Sequence, residues 1–132
     1  MSTRNRLANA RNDFQGSARR VLTVCSGGLL RSPTAAWVLS NAPWNFNTRS
    51  CGYNAEYALV VLDQVLLAWA DEVVVMDSVQ KSEVEYLLSK WDMSKPVHNV
   101  NVEDDYDFRD PELVSVLTER FTELFPVDTA VE

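Results

Sequence analysis

From Arg20 onward, the apolar positions of the chain switch repeatedly between two spacings. "VLTVC" (21–25) is a short apolar, β-branched run of the kind that forms a buried strand, and "SPTAAWVLSN" (32–41) then opens as a helix, with Ser32 at the N-cap and Pro33 at the first helical position. "WNFNTRSC" (44–51) alternates as a second strand, and "LVVLDQVLLAWA" (59–70) is apolar enough for a helix packed on a sheet. "EVVVMD" (72–77) reads as a strand buried on both faces. "SVQKSEVEYLLSKW" (78–91) places Val84, Leu87, Leu88 and Trp91 on one side of an amphipathic helix. "KPVHNVNV" (95–102) supplies a fourth strand, and "PELVSVLTERFTELF" (111–125) a last helix capped by Asp110 and opened by Pro111.

The order is therefore βαβαβαβα. Short connections through helices require parallel strands with right-handed crossovers, so the expected architecture is α/β: a three-layer sandwich, with a four-stranded parallel sheet between helices on both faces. Ligands of such sheets bind beyond the carboxyl ends of the strands, where the strand order reverses. The loop after Cys25 leaves the first strand at that edge.

Composition narrows the setting. The 132 residues suit one domain with its own core, and 46% of them are apolar. No apolar run approaches the roughly 18 residues of a membrane span, and the amino terminus lacks a signal-peptide core, so a cytoplasmic protein that does not engage membrane is expected. Two cysteines and one histidine make neither a disulfide framework nor a zinc cluster; no metal and no cofactor are implied. Residues 1–20 carry five arginines and one acid, and the rest of the chain carries 7 basic against 18 acidic side chains. The first 20 residues thus read as a basic extension, flexible or helical, ahead of a domain over 21–132. That acidic domain offers no broad basic face for nucleic acid. Nothing in the sequence sets the oligomeric state.

The chemistry concentrates in "CSGGLLRSP" (25–33). Between Cys25 and Arg31 lie Ser26, Gly27, Gly28, Leu29 and Leu30, and a helix starts at once. Two glycines let the backbone curl until successive N–H groups point into one concavity, to which the helix start adds its own free N–H groups and positive dipole end. A cysteine at the rim of such an anion cradle sits in a field that favours thiolate, with Ser32 as a hydrogen-bond donor. Arg31 presents a planar fork to two phosphate oxygens. Together these groups suit nucleophilic attack on a phosphate monoester through a phosphocysteine intermediate. The other phosphate loop, GxxxxGK[ST], is absent.

Cys-x5-Arg-Ser-Pro after a first strand resembles the signature of the low-molecular-weight protein tyrosine phosphatases, above all a short bacterial and phage-type branch. "RSCG" (49–52), "WADEVVVMD" (69–77) and "VEDDYDFRDPEL" (102–113) agree with that pattern in order, so the resemblance covers residues 21–125. It implies a metal-independent hydrolase acting on a phosphorylated protein or a small aryl phosphate, with Cys25 as nucleophile and residues 26–32 as phosphate-binding loop. Gly28 stands where the family usually has an asparagine that shapes the loop, and Leu30 where many members have a second, protective cysteine. Alternatives from other classes are a phosphate-binding module without turnover, an arsenate reductase-like enzyme and a thiol-dependent phosphocarrier.

A leaving oxygen needs a proton, and Asp104, Asp105, Asp107 and Asp110 all follow the fourth strand on the correct edge. Asp110 is explained by helix capping. The family's acid loop matches "VEDDY", which implies Asp104 as general acid and Tyr106 as an aromatic at the substrate entrance. Asp77 reads as the cap of the helix after it, His98 as a core or half-exposed strand residue, and Ser50 as matching a family serine that supports the loop. Trp37, Trp69 and Trp91 are expected to face the core, and Trp44 the surface. Strand alternation turns Cys51 away from the loop if Ser50 faces it.

Overall fold

The computed structural model describes residues 19–25, 31–53, 60–102 and 110–126. Among the described residues, four strands, β1 (Arg20–Cys25), β2 (Asn47–Gly52), β3 (Glu72–Val75) and β4 (Val97–Asn99), alternate with four helices: α1 (Arg31–Ser40), α2 (Gln64–Trp69), α3 (Ser78–Lys90) and α4 (Pro111–Leu124). The sheet is parallel throughout, in the order β2-β1-β3-β4. β1 is central, and the strand order reverses beside it.

Alternation along each strand divides the core into two layers. On one face Val21, Cys25, Val74 and Met76 pack against Leu39 of α1 and Leu113, Leu117 and Phe121 of α4. On the other, Leu22, Val24, Cys51, Val73 and Val75 meet Leu66, Leu67 and Trp69 of α2 and Val84 and Leu88 of α3. Trp69 and Phe121 are fully buried, and truncating either to alanine would cost about 3–5 kcal/mol.

The expected elements are all present, with shorter boundaries where local chemistry intervenes. The helix expected over 59–70 is confined to six residues. Asp63 caps it by accepting from the Leu66 amide, and Val61 is drawn into a parallel bridge with Gly52. The second strand starts at Asn47 rather than 44, because residues 41–44 turn through a cis Ala42–Pro43 bond. Trp44 is correspondingly not a surface residue opening a strand. It packs edge-on against Phe121, and its indole N–H donates to the Phe125 carbonyl. Trp37, expected in the core, is 38% exposed. The helix after the loop begins at Arg31, which puts Ser32 inside its first turn instead of at the N-cap. Asp110 does cap α4, accepting from the Glu112 amide.

Candidate active site

β1 delivers Cys25 to the carboxyl edge of the sheet, and three side chains fix what surrounds it. Thr23 is the polar residue within the apolar run 21–25, and it is fully buried. Its hydroxyl donates to the Ser32 carbonyl at 2.7 Å, with the Arg49 carbonyl as a second acceptor at 3.3 Å. One side chain thus ties the start of α1 and the middle of β2 to β1, and a buried hydroxyl without such partners would cost about 1–3 kcal/mol. In the register, Cys25 faces Gly52, which has no side chain.

Ser32 is also fully buried. Its Oγ lies 3.2 Å from Cys25 Sγ and 3.2 Å from the Cys51 carbonyl. While Cys25 is a thiol, its S–H donates to Ser32 and the serine hydroxyl donates to the Cys51 carbonyl. Once the thiol ionises, the same hydroxyl can turn and donate to the sulfur. Being inside the first turn, rather than capping it, is what frees the side chain for this.

Arg31 is the first residue of α1 and only 4% exposed. Its NH1 donates to the Val102 carbonyl at 2.9 Å and lies 3.7 Å from Asp77 Oδ2. Val102 reaches that position because Asn101 takes a left-handed conformation (φ 51°), which asparagine tolerates, while the flanking Val100 and Val102 amides donate to Val75 and Met76. Asp77 has a second task. Its Oδ1 accepts from the Gln80 amide and caps α3, while the buried Gln80 side chain accepts from the Met76 amide at 2.7 Å. Groups beyond the ends of β3 and β4 therefore meet around Arg31.

Cys51 belongs to the other layer. It is fully buried among Leu66, Leu67 and Trp69, on the face opposite Cys25. Burial first, then the charges of Cys25 and Asp63, push its thiol well above the ordinary cysteine range. Neither cysteine is in a disulfide.

Of the sequence-predicted site residues, the structure brings Cys25, Arg31 and Ser32 together. Ser26, Gly27, Gly28, Leu29, Leu30, Asp104 and Tyr106 lie outside the described residues, as do Asp105 and Asp107. Ser50 makes no side-chain hydrogen bond among the described residues and lines a cavity at the sheet edge. His98 sits half-buried, its Nε2 2.8 Å from Glu72 Oε1, at a carboxylate that also binds Arg19. Sequence reasoning missed the hold of Asp77 and Val102 on Arg31 and the role of Thr23. Two signals were available: an acid ending a strand at the same edge as Cys25, and a lone hydroxyl in an apolar run.

No protein-family profile and no curated protein sequence matches the chain. Solved structures do. The YwlE arginine phosphatase from Geobacillus stearothermophilus aligns at 22% identity and a TM-score of 0.56, over 86% of this chain and 97% of the other. The Erwinia amylovora tyrosine phosphatase amsI aligns at 16% identity and 0.60, over 86% and 98%. A thioredoxin-dependent arsenate reductase from Corynebacterium glutamicum aligns at 17% identity and 0.57, over 92% of this chain and 67% of that one. The chain thus shares the α/β fold of these two phosphatases and the reductase, and Cys25 and Arg31 stand at the two ends of the connection from β1 to α1.

Proposed function

We propose that this protein is a metal-independent phosphomonoesterase, a tyrosine phosphatase that works through a phosphocysteine on Cys25, in the cytoplasm. The observation that carries this reading is the pairing at one sheet edge of a cysteine within 3.2 Å of a buried serine hydroxyl and a buried arginine clamped by a carbonyl and a carboxylate. A thiolate with a donor beside it is a nucleophile, and a guanidinium that cannot swing away is a fixed site for phosphate oxygens. Likeness to phosphatase structures supports the same chemistry.

In the first step the Cys25 thiolate attacks phosphorus. The S–P bond forms, the bond from phosphorus to the leaving oxygen breaks, and that oxygen takes a proton from the acid we assign to Asp104. In the second step water attacks phosphorus, the S–P bond breaks, and the thiolate leaves with Ser32 as its donor. The water's proton returns to the acid and inorganic phosphate is released. Residues 26–30 supply the cradle and Tyr106 the entrance in this reading. An internal thiol relay of the reductase kind would need a second thiol beside Cys25, and Cys51 faces the other layer.

The test is hydrolysis of p-nitrophenyl phosphate by wild type beside Cys25→Ser. Wild type turns over, is inhibited by phosphate and vanadate, and is indifferent to EDTA, whereas the serine variant is inactive. Turnover by Cys25→Ser would overturn the proposal.

A further inference from the structure

We propose that the outer edge of β2, open among the described residues, is a docking site for an extended segment of a phosphoprotein substrate, one carrying a carboxylate a few residues from the phosphorylated side chain. The inference rests on the phosphatase reading for where the phosphorylated residue sits, and adds to it a substrate class.

β2 is an outer strand of the sheet. Alternate residues of a strand turn their N–H and C=O groups to opposite sides. Asn47 donates inward to Arg19, whereas the Gly52 amide and carbonyl pair outward with Val60 and Leu62. Thr48 and Ser50, in phase with Gly52, therefore face outward too, and among the described residues nothing pairs with their outward backbone groups. Unpaired strand groups of this kind are a template for a further strand.

Along this edge opens a cavity of about 620 Å³, lined among others by Thr48, Arg49, Ser50, Val60, Val61 and Asp63. Val60 and Val61 are 51% and 40% exposed, an apolar rim on an otherwise acidic domain. Arg49 supplies the charge. Its guanidinium lies 5.0 Å from the Trp69 ring, its Nε is buried without a hydrogen-bond partner, and no carboxylate among the described residues pairs with it. Burial lowers its pKa. A buried donor on a cation with no acceptor is costly, and a carboxylate brought in by a ligand offsets that cost. Asp63 lies across the same cavity, its Oδ1 engaged by the Leu66 amide, and makes no ion pair with Arg49.

An extended segment fits this edge better than a second copy of the chain. Residues 60–62 already cover the outer side of Gly52, so a rigid second β2 would be stopped after two pairing positions. A single extended chain can pair with Thr48 and Ser50 and then rise over Val61. The position relative to the nucleophile is also right. Val61 bridges Gly52, and Gly52 is the neighbour of Cys25, so the rim stands two strand spacings, about 10 Å, from the Cys25 backbone. At about 3.3 Å per residue, side chains two to four positions from the phosphorylated residue pass over Val60 and Arg49.

The experiment compares wild type, Arg49→Gln and Val60→Asp on three substrates: p-nitrophenyl phosphate, a phosphotyrosine peptide with glutamate three residues from the tyrosine on either side, and the same peptide with glutamine there. Wild type should prefer the glutamate peptide by about tenfold in kcat/KM, the size of one charge-assisted hydrogen bond. Arg49→Gln should erase that preference, and Val60→Asp should weaken both peptides, with p-nitrophenyl phosphate unchanged in each variant. Anisotropy titration of the two labelled peptides reads the same preference as binding. It still decides the matter if p-nitrophenyl phosphate is not hydrolysed, a result that would sink the phosphatase reading alone. Equal rates on both peptides in wild type, or an equal loss on all three substrates in Arg49→Gln, would overturn the docking site. So would a concentration-dependent dimer abolished by Val60→Asp, which would give the edge to a second copy. If Arg49→Gln does not fold, Val60→Asp on the exposed rim carries the comparison.

Discussion

Replacing Asp77 separates two jobs that one carboxylate performs. Oδ1 caps α3 at the Gln80 amide, at 2.9 Å, while Oδ2 stands 3.7 Å from Arg31 NH1. The Asp77→Asn variant keeps a capping oxygen and loses the charge; Asp77→Ala loses both. At an effective dielectric near 20, unit charges at that separation would attract by about 4–5 kcal/mol. The Asp77 side chain is 41% exposed, and solvent screening of such a pair brings the expected coupling down to about 1 kcal/mol. Arg31 keeps its bond to the Val102 carbonyl in both variants, so the fork is loosened rather than released. Asp77→Asn should therefore lower kcat/KM on p-nitrophenyl phosphate about fivefold, the equivalent of about 1 kcal/mol. Asp77→Ala should match it in activity and lose about 1 kcal/mol more stability for the missing cap. For 132 residues that further loss is about 3–4 °C in Tm, read by thermal denaturation followed by circular dichroism. An asparagine variant within twofold of wild type in rate would mean that Asp77 is a helix cap and nothing more, and would remove it from the site.

Arg31→Lys should be inactive on the same ester, because an ammonium cannot make the two-pronged contact with phosphate; activity within tenfold of wild type would dismiss the fork. Asp104→Asn should slow phosphotyrosine hydrolysis by about 10²- to 10⁴-fold and nitrophenyl phosphate less, since the better leaving group needs less protonation. Asp110→Asn should do neither, because asparagine caps α4 as well as aspartate does; a kinetic signature that follows Asp110 would move the acid. Cys51, buried with its thiol held protonated, should resist iodoacetamide in the folded protein up to about pH 9, react only after unfolding, and form no disulfide with Cys25 under peroxide. Peptide mapping by mass spectrometry reads both outcomes, and native labelling of Cys51 would contradict its burial.

Much of this protein is written in local pattern. The period-2 runs and the helix caps at Asp77 and Asp110 rest on neighbours within a few residues, so the order of strands and helices follows from sequence. The same holds for placing Cys25 and Arg31 at the ends of one connection, because a buried parallel strand must deliver its last residue to the carboxyl edge. Ser32 beside the sulfur was legible too, since one short connection returns it to Cys25. Tertiary contacts decided the rest. Apolar content alone could not distinguish helix from bridge at "VVL" (60–62); Gly52, at the end of another strand, draws Val61 out of the helix. Trp37 and Trp44 exchanged environments because side-chain burial depends on what packs opposite, here the Phe121 and Phe125 end of α4. Thr23 could not be assigned to the Arg49 carbonyl, nor Asp77 and Val102 to Arg31, because those partners lie 26, 46 and 71 residues apart and meet only when the four strands align. Sequence chose the reacting side chains through local geometry; only the closed sheet could supply the groups that hold them, since each of those contacts spans elements that no local rule connects.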